Sequence, residues 1–572
     1  MSPSATLGSE RRGLWQLACL AGITWLLYLA ITLSARSLYI SESGSHRVLV
    51  LLGLFGLACG CYFAAIRIAL CSPQTRSLLA LIVTAGVLFR ATMVLSNPIE
   101  EIDLYRYLWD GAVVTRGVSP FRYSPQQVLG ASTDAPLPED LARLVRLRDS
   151  SPGMVAILKR IHFPELPTIY PPVSQAVFAA CTWLTPQAAP LMVRMVLMKA
   201  WFVGCDLLTL AIIIRLLRIS DRPVALSIIY AWCPLLIKEI ANSGHLDSLA
   251  FSLTTLSLYL AAKVLYVPDR LRSVQLTATI SAAVLALAVG AKLYPVVLAP
   301  LLFASFVRRL GIRRSVGPVF VFAILVAALA LPMWPQGGAL APLPALDEAQ
   351  TFAATADAPP LPPDDVSTEP RDPSQSVRAF LSKWEMNDFL FLLVVENLRP
   401  SDELPPEKIA WFTIVPQRWR SALTSFTAYQ FGVDQNHAPF FLARAITSLI
   451  FMGLAGWFAR CATRATTIAD WITPAFLTIA WFWLLLPTQN PWYWTWALPL
   501  LPFARSRVWW TLSALAFIYY LRFWFVSQFP ATPLMGTNYT GPWFFDFVIT
   551  WLEFCPWFIA LFVDSRYASK SS

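Results

Sequence analysis

Long apolar runs separated by short polar stretches make up most of the chain. They fall at 14–34, 48–70, 77–95, 190–214, 223–241, 247–266, 274–290, 294–307, 316–335, 438–459, 470–487, 492–504, 508–526 and 543–563. A helix needs about 17–25 mostly apolar residues to cross a bilayer, and most of these runs have that length. Lipid offers backbone groups no outside hydrogen-bond partner, so the helix is the element that fits. The runs 294–307 and 492–504 are short and open beside Pro295 and Pro491, so they are expected to be tilted, broken or re-entrant. A further run, 171–184, is shorter than a span needs. The pattern predicts an all-α polytopic integral membrane protein: a helical bundle with about fourteen crossings, in a range of about 12–14, and large loops with interfacial helices on one side.

The cations orient that bundle. Arg11 and Arg12 precede the first run, and later basic loops fall at 215–222, 269–272, 308–314, 460–464 and 504–507. All of them face the cytoplasm if 171–184 does not cross, and all of the later ones flip outward if it does. The positive-inside rule therefore makes 171–184 an interfacial or half-membrane helix. It puts both termini in the cytoplasm and the protein in the cytoplasmic (inner) membrane. The first run lacks a small-residue cleavage site, so it reads as a retained span. The opposite face then collects 96–170, 241–247, 290–295, 336–437, 487–493 and 527–542. Three parts follow: 1–335, a transmembrane module with a large outer loop at 96–170; 336–437, an extracytoplasmic Pro-rich linker with interfacial helices; and 438–572, a second transmembrane module. Within the middle part, 336–375 is rich in Pro, Ala and Asp and reads as a flexible linker. The segment 380–398 is amphipathic and is expected to lie as one helix on the membrane surface.

Composition narrows the function. Of 572 residues, 56% are hydrophobic and 14% charged, where a soluble protein would carry about a quarter charged residues. A net charge of +10 would suggest nucleic acid in a soluble chain; here the cations sit in short loops between spans, so no nucleic-acid partner is expected. The nine Cys lie mostly in apolar runs, with no CxxC and no Cys/His spacing, so neither a disulfide framework nor a zinc site is indicated. Walker, GxGxxG, HExxH and GxSxG patterns are absent, which argues against a nucleotide as direct partner.

The stretch 96–125, SNPIEEIDLYRYLWDGAVVTRGVSPFRYSP, carries Glu100, Glu101, Asp103 and Asp110 with Arg106, Arg116 and Arg122. Charge beside a span is costly unless paired or wet, and it often marks a site; a self-neutralising solvated loop is the plainer alternative. A carboxylate at a membrane edge can serve as a general base. Helical spacing would put Asp103, Arg106 and Asp110 on one face, where Arg106 could equally be a salt-bridge partner. The turn ANSGHLD offers His245 and Asp247, although Asp247 could simply cap a helix. Lys292, in GAKLYP, could hold an anionic phosphate or merely snorkel to the interface. Trp492 and Tyr493 could line a sugar or lipid site or belong to an ordinary aromatic belt. No metal ligands are assigned, yet the acids at 100, 101, 103 and 110 leave room for a divalent cation beside a substrate phosphate.

DLYRYLWDGAVVTRGVSPFRYSP (103–125) resembles the signature of bacterial polytopic glycosyltransferases near glycosyltransferase family 87, within the GT-C superfamily. The likeness continues, in order, at PTIYPPVSQAVF (167–178), WCPLLIKEIANSGHLD (232–247), KLYPVVLAP (292–300) and LLLPTQNPWYWTWALP (484–499). The resemblance implies a GT-C helical bundle and a polyprenyl-phosphate hexose as donor, with mannose first. It implies a glycolipid or glycan acceptor outside the membrane, and inversion at the sugar carbon. It implies that Asp103 is the catalytic base, or in some relatives a metal ligand, and that Asp247 is the second outer acidic position. Arg106, Arg122, His245 and Lys292 are then candidates for the leaving phosphate. Glu101, Asp110, Tyr170, Asp247, Trp492 and Tyr493 are supporting or acceptor-side candidates. Two spans before the catalytic loop, and the Pro-rich insert, depart from the family's usual pattern. A lipid-glycan transporter or flippase is the alternative from another class, and a catalytically dead scaffold a third; the paired, related halves expected of a transporter are not visible.

Overall fold

The computed structural model describes residues 3–36, 45–132, 136–267, 271–335, 367–402 and 404–570. Ten of the predicted runs form helices long and apolar enough to cross a membrane: Arg11–Ala35, Arg47–Cys71, Arg76–Val94, Leu191–Ile219, Asp247–Tyr266, Ser273–Ala291, Ile312–Met333, Ala438–Thr463, Ile468–Leu485 and Gly541–Arg566. No strand occurs among the described residues, only an isolated bridge between Met386 and Thr488. The fold is all-α and polytopic.

The remaining four runs are interrupted, which brings the expected fourteen crossings down to 10 full-length helices, or 11 counting a bent pair. The pair is Val224–Ala231 and Pro234–Asn242, which meet at 48°. Pro234 lacks an N–H and its ring crowds the preceding turn, which breaks the helix there. Residues 237–242 then wind as a π-helix. Residues 225–242 of the bent span are buried inside the protein, where irregular backbone finds partners that lipid would deny it. Around Pro295, residues Tyr294–Leu298 form a 3-10 turn before the helix Ala299–Leu310. Pro499 and Pro502 likewise confine Leu498–Phe503 to a 3-10 turn. The run 508–526 carries a 3-10 turn at Ala516–Tyr520, for which the local sequence offers no proline.

The run 171–184 forms a helix of 13 residues, Pro172–Leu184, about 20 Å long and too short to span. It packs on Asp103–Thr115, closely enough that a Cβ on Gly111 would fall 2.5 Å from the Phe178 carbonyl oxygen. The segment 380–398 is not one surface helix. It is the end of Gln375–Lys383, a turn, and Leu390–Glu396. Hydrogen bonds from Met386 N to Pro487 O (2.8 Å) and Gln489 N to Met386 O (2.9 Å) pull the turn inward. Phe391 and Val395 bury against Phe440 and Ala443 instead of facing lipid. Further bonds tie this part to the first large loop: Gln127 Nε2 donates to Ser367 O (2.6 Å) and Glu369 O (2.8 Å), and Ser376 Oγ to Pro167 O (2.7 Å).

Candidate active site

The turn after the helix Arg76–Val94 is held by groups from two neighbouring spans. Asn242 Nδ2 donates to Ser96 Oγ (2.6 Å) and Asn97 O (2.7 Å), its Oδ1 accepts from Ile99 N (3.0 Å), and Lys199 Nζ donates to Ser96 O (2.7 Å). Glu100 adopts φ 52°, unusual for a non-glycine residue, so this clamp holds a strained backbone. The clamp aims Glu101 and Asp103 into a cavity of about 670 Å³. The cavity's walls come from 100–106, 162–171, 292–297, 376–399, 436–444 and 488–496. Most of the turns expected on one face of the bundle thus converge here.

Asp103 opens the helix Asp103–Thr115, where a carboxylate suits the positive end of the helix dipole. Its side chain is 29% exposed, and its Oδ2 accepts from Tyr170 OH at 3.0 Å. Glu101 is more enclosed. Burial pushes its carboxyl well above the usual carboxylate range; Lys238 opposes the rise, and Asp103 and Glu239 add to it. Asp110 is buried away from the cavity, accepts from Gln175 Nε2 (3.1 Å), and is likewise raised by burial. Of these three acids Asp103 is the most open to the cavity: its side chain is 29% exposed, against 10% for Glu101, while Asp110 is buried. Burial, with Asp103 next in weight, pushes the Tyr170 phenol well above its ordinary range, so it stays a donor.

The cations divide. Arg106 lines the cavity but donates to three backbone carbonyls, of Leu166 (3.1 Å), His162 (3.2 Å) and Phe163 (2.9 Å). It does not bridge to Asp110; it buttresses the cavity wall. Arg122 is not brought to the cavity and instead pairs with Asp140 at 2.6 Å. Lys292 lines the cavity, lies 4.5 Å from the Tyr493 ring centroid, and donates to Asp247 Oδ1 at 2.6 Å. Asp247 is fully buried and also accepts from Trp496 Nε1. It makes no capping bond, since Leu246 holds the N-cap position. His245 is buried, and its ring lies flat on Trp492, with centroids 4.7 Å apart at 12°. Its nitrogens face carboxylates: Nδ1 is 4.0 Å from Asp103, and Nε2 is 4.0 Å from Glu101 and 3.4 Å from Glu239.

Sequence reasoning missed Glu239, Lys238 and Tyr520. A signal existed for two of them, since adjacent charges inside an apolar run are by default a site hypothesis. Among the described residues no group of three or more His, Cys, Asp and Glu side chains is arranged to hold a metal ion.

Residues 32–308 match the family model of the alpha-(1->6)-mannopyranosyltransferase, N-terminal domain. That stretch contains Glu101, Asp103, Tyr170, Glu239, His245, Asp247 and Lys292, while the wall from 376–399 and the Trp492–Tyr493 turn lie beyond it. No curated protein and no solved structure matches the chain. With its all-α, multi-pass fold and the alpha-(1->6)-mannopyranosyltransferase N-terminal domain matched over residues 32–308, the chain is a membrane glycosyltransferase.

Proposed function

We propose that the protein transfers a hexose, mannose first, from a polyprenyl-phosphate donor to a hydroxyl of an extracytoplasmic glycolipid or glycan. Asp103 is the general base. The acceptor O–H bond breaks as the acceptor oxygen bonds to the sugar C1. The C1–O bond to phosphate breaks, and its electron pair leaves on the phosphate. Asp103 takes the proton. The observation that carries this reading is the placement of Asp103. It is a partly exposed carboxylate, oriented by Tyr170, beside a cavity whose wall also holds Lys292 and the apolar side chains Val296, Val297, Phe482 and Leu486. The lysine suits a phosphate and the apolar wall suits a prenyl chain. Labelled polyprenyl-phosphate sugar supplied to membranes tests it: only this transferase reading predicts release of polyprenyl phosphate. A transporter or an inactive scaffold leaves the donor intact.

Lys292→Ala is expected to weaken donor use by about 1.5–3 kcal/mol, the range for a hydrogen bond to a charged group. Lys263→Ala, an exposed lysine in the last turn of its helix, serves as the control. Equal effects on donor KM would reduce Lys292 to an interfacial anchor. Loss of Asp247's partner shows separately, as reduced protein level.

The cavity faces outward in this reading, with both termini cytoplasmic. The hydrogen bonds from Gln127 to the 367–369 segment support a common side for the two large loops. Single cysteines at the exposed positions Ser132 and Ser367 should both label from outside intact cells. Protection of either one reverses the orientation.

A further inference from the structure

Behind Asp103 lies a buried group of charges. The π-helix Ile237–Asn242 sets Lys238 and Glu239 side by side inside the bundle, their side chains 1% and 0% exposed. Single π turns inside helices recur at functional sites. Glu239 Oε1 accepts from Tyr520 OH at 2.6 Å, and its Oε2 lies 3.3 Å from Lys238 Nζ and 3.4 Å from His245 Nε2. Gly244 makes the turn that follows, at φ 75°, where a Cβ would come 3.0 Å from Lys199 and 3.1 Å from Leu104. That turn brings His245 back between Glu239 and Asp103, flat against Trp492. Neither ring nitrogen of His245 makes a hydrogen bond among the described residues.

We propose that Glu239 is a positioning residue for the transfer, acting through His245. Its Oε2, 3.4 Å from Nε2, orients the ring so that Nε2–H points toward Glu239 and the Nδ1 lone pair faces Asp103. Which imidazole nitrogen carries the proton is set by the bond the other one makes. His245 then accepts, at Nδ1, the proton that Asp103 removes from the acceptor hydroxyl, and Asp103 returns to carboxylate for the next turnover. The imidazolium loses that proton to solvent. Imidazole is ordinarily a stronger base than a carboxylate, so the handover runs downhill. The 4.0 Å gap between Nδ1 and Asp103 is of the kind that closes around bound substrate. The charged groups facing His245 are Asp103 from its helix, Glu101 from the preceding turn, and Glu239 with Lys238 from the π-helix. The Trp492 face is neutral, and on its own side of the turn Asp247 is paired with Lys292.

This inference rests on reading Asp103 as the base, and the test separates the two. Turnover is measured in one membrane preparation, with donor and acceptor saturating, from about pH 5.5 to 9, a window that spans histidine titration. Wild-type activity should rise with pH through the His245 ionisation, and His245→Asn should abolish that limb. Glu239→Gln should lower kcat about 10–100-fold, less than the base itself, with donor KM unchanged. It should also move the limb to lower pH, because removing the carboxylate disfavours the imidazolium. Glu239→Asp should restore most of the limb. Tyr520→Phe removes one hydrogen bond from Glu239 and should move the limb to higher pH; it keeps the test decisive if Glu239→Gln does not fold. A limb that stays in place in Glu239→Gln and Tyr520→Phe overturns the inference and leaves Glu239 a structural charge. Near-native turnover in Asp103→Asn overturns the base assignment instead.

Discussion

Asp103→Asn should lower turnover about 10²–10⁴-fold while protein level and donor binding stay near wild type. The amide keeps the size of the carboxylate and can still meet Tyr170 OH, which sits 3.0 Å from Oδ2. What it loses is the capacity to take a proton at neutral pH. Asp103 is 29% exposed on its side chain, so the substitution neither opens a cavity nor strands a buried partner. Glu101→Gln and Glu100→Gln should cost much less, because burial already holds both carboxyls toward the neutral form. Asp110→Asn should be close to neutral for chemistry, since that side chain is buried against Gln175 and outside the cavity. The four amide variants are compared in the same membranes with donor saturating. Near-native turnover in Asp103→Asn would remove it as the base. So would a pattern in which Asp110→Asn alone is inactive at normal expression.

The largest effect on stability is expected at Arg90. Its guanidinium and the Asp206 carboxylate are both 0% exposed and meet at 2.5 Å. Tyr230 OH donates to Asp206 Oδ1 at 2.6 Å, and Arg90 Nη1 donates at 2.7 Å to the Ala231 carbonyl, at the break in the bent span. The pair therefore holds the kink whose far half carries Glu239 and leads to His245. Arg90→Leu leaves a carboxylate in the interior without its cation, a change that costs about 3–5 kcal/mol. The double variant Arg90→Leu/Asp206→Leu removes both charges and should cost less than the sum of the single changes, because the stranded charge is gone. The readout is the fraction of monodisperse protein surviving a temperature series in detergent, for both single variants and the double. A single Arg90→Leu variant as robust as wild type, or strictly additive losses, would show that the pair does not brace the kink.

Much of the architecture was legible in the chain. Ten apolar runs became ten helices of nearly the expected bounds, since run length and the backbone's need for internal partners leave lipid-facing segments little choice. The four interrupted runs are where that reasoning stops. An apolar run meets the length test whether or not it faces lipid, and three of the four contain prolines whose breaks are tolerated only inside protein. The amphipathic pattern at 380–398 also misled, because an apolar stripe reads the same whether it covers lipid or the wall at Phe440 and Ala443.

The sequence by itself determined the class of the protein and its helical segments, and it put Asp103 forward ahead of the other acids. It also determined the set of turns that meet at one end. These follow from local properties: hydropathy, proline positions and charge beside a span. Only the tertiary structure decided what each charged side chain does. Lys292 and Asp247 looked like separate candidates and are one ion pair across 45 residues. Arg106 looked like a phosphate ligand or a partner of Asp110 and is instead bonded to the carbonyls of 162–166. His245 stands between Asp103 and Glu239, and Glu239 in turn meets Tyr520 from 281 residues away. Burial makes a charge costly wherever it sits, but the partner that offsets the cost is chosen by how broken helices pack, and no local pattern encodes that choice.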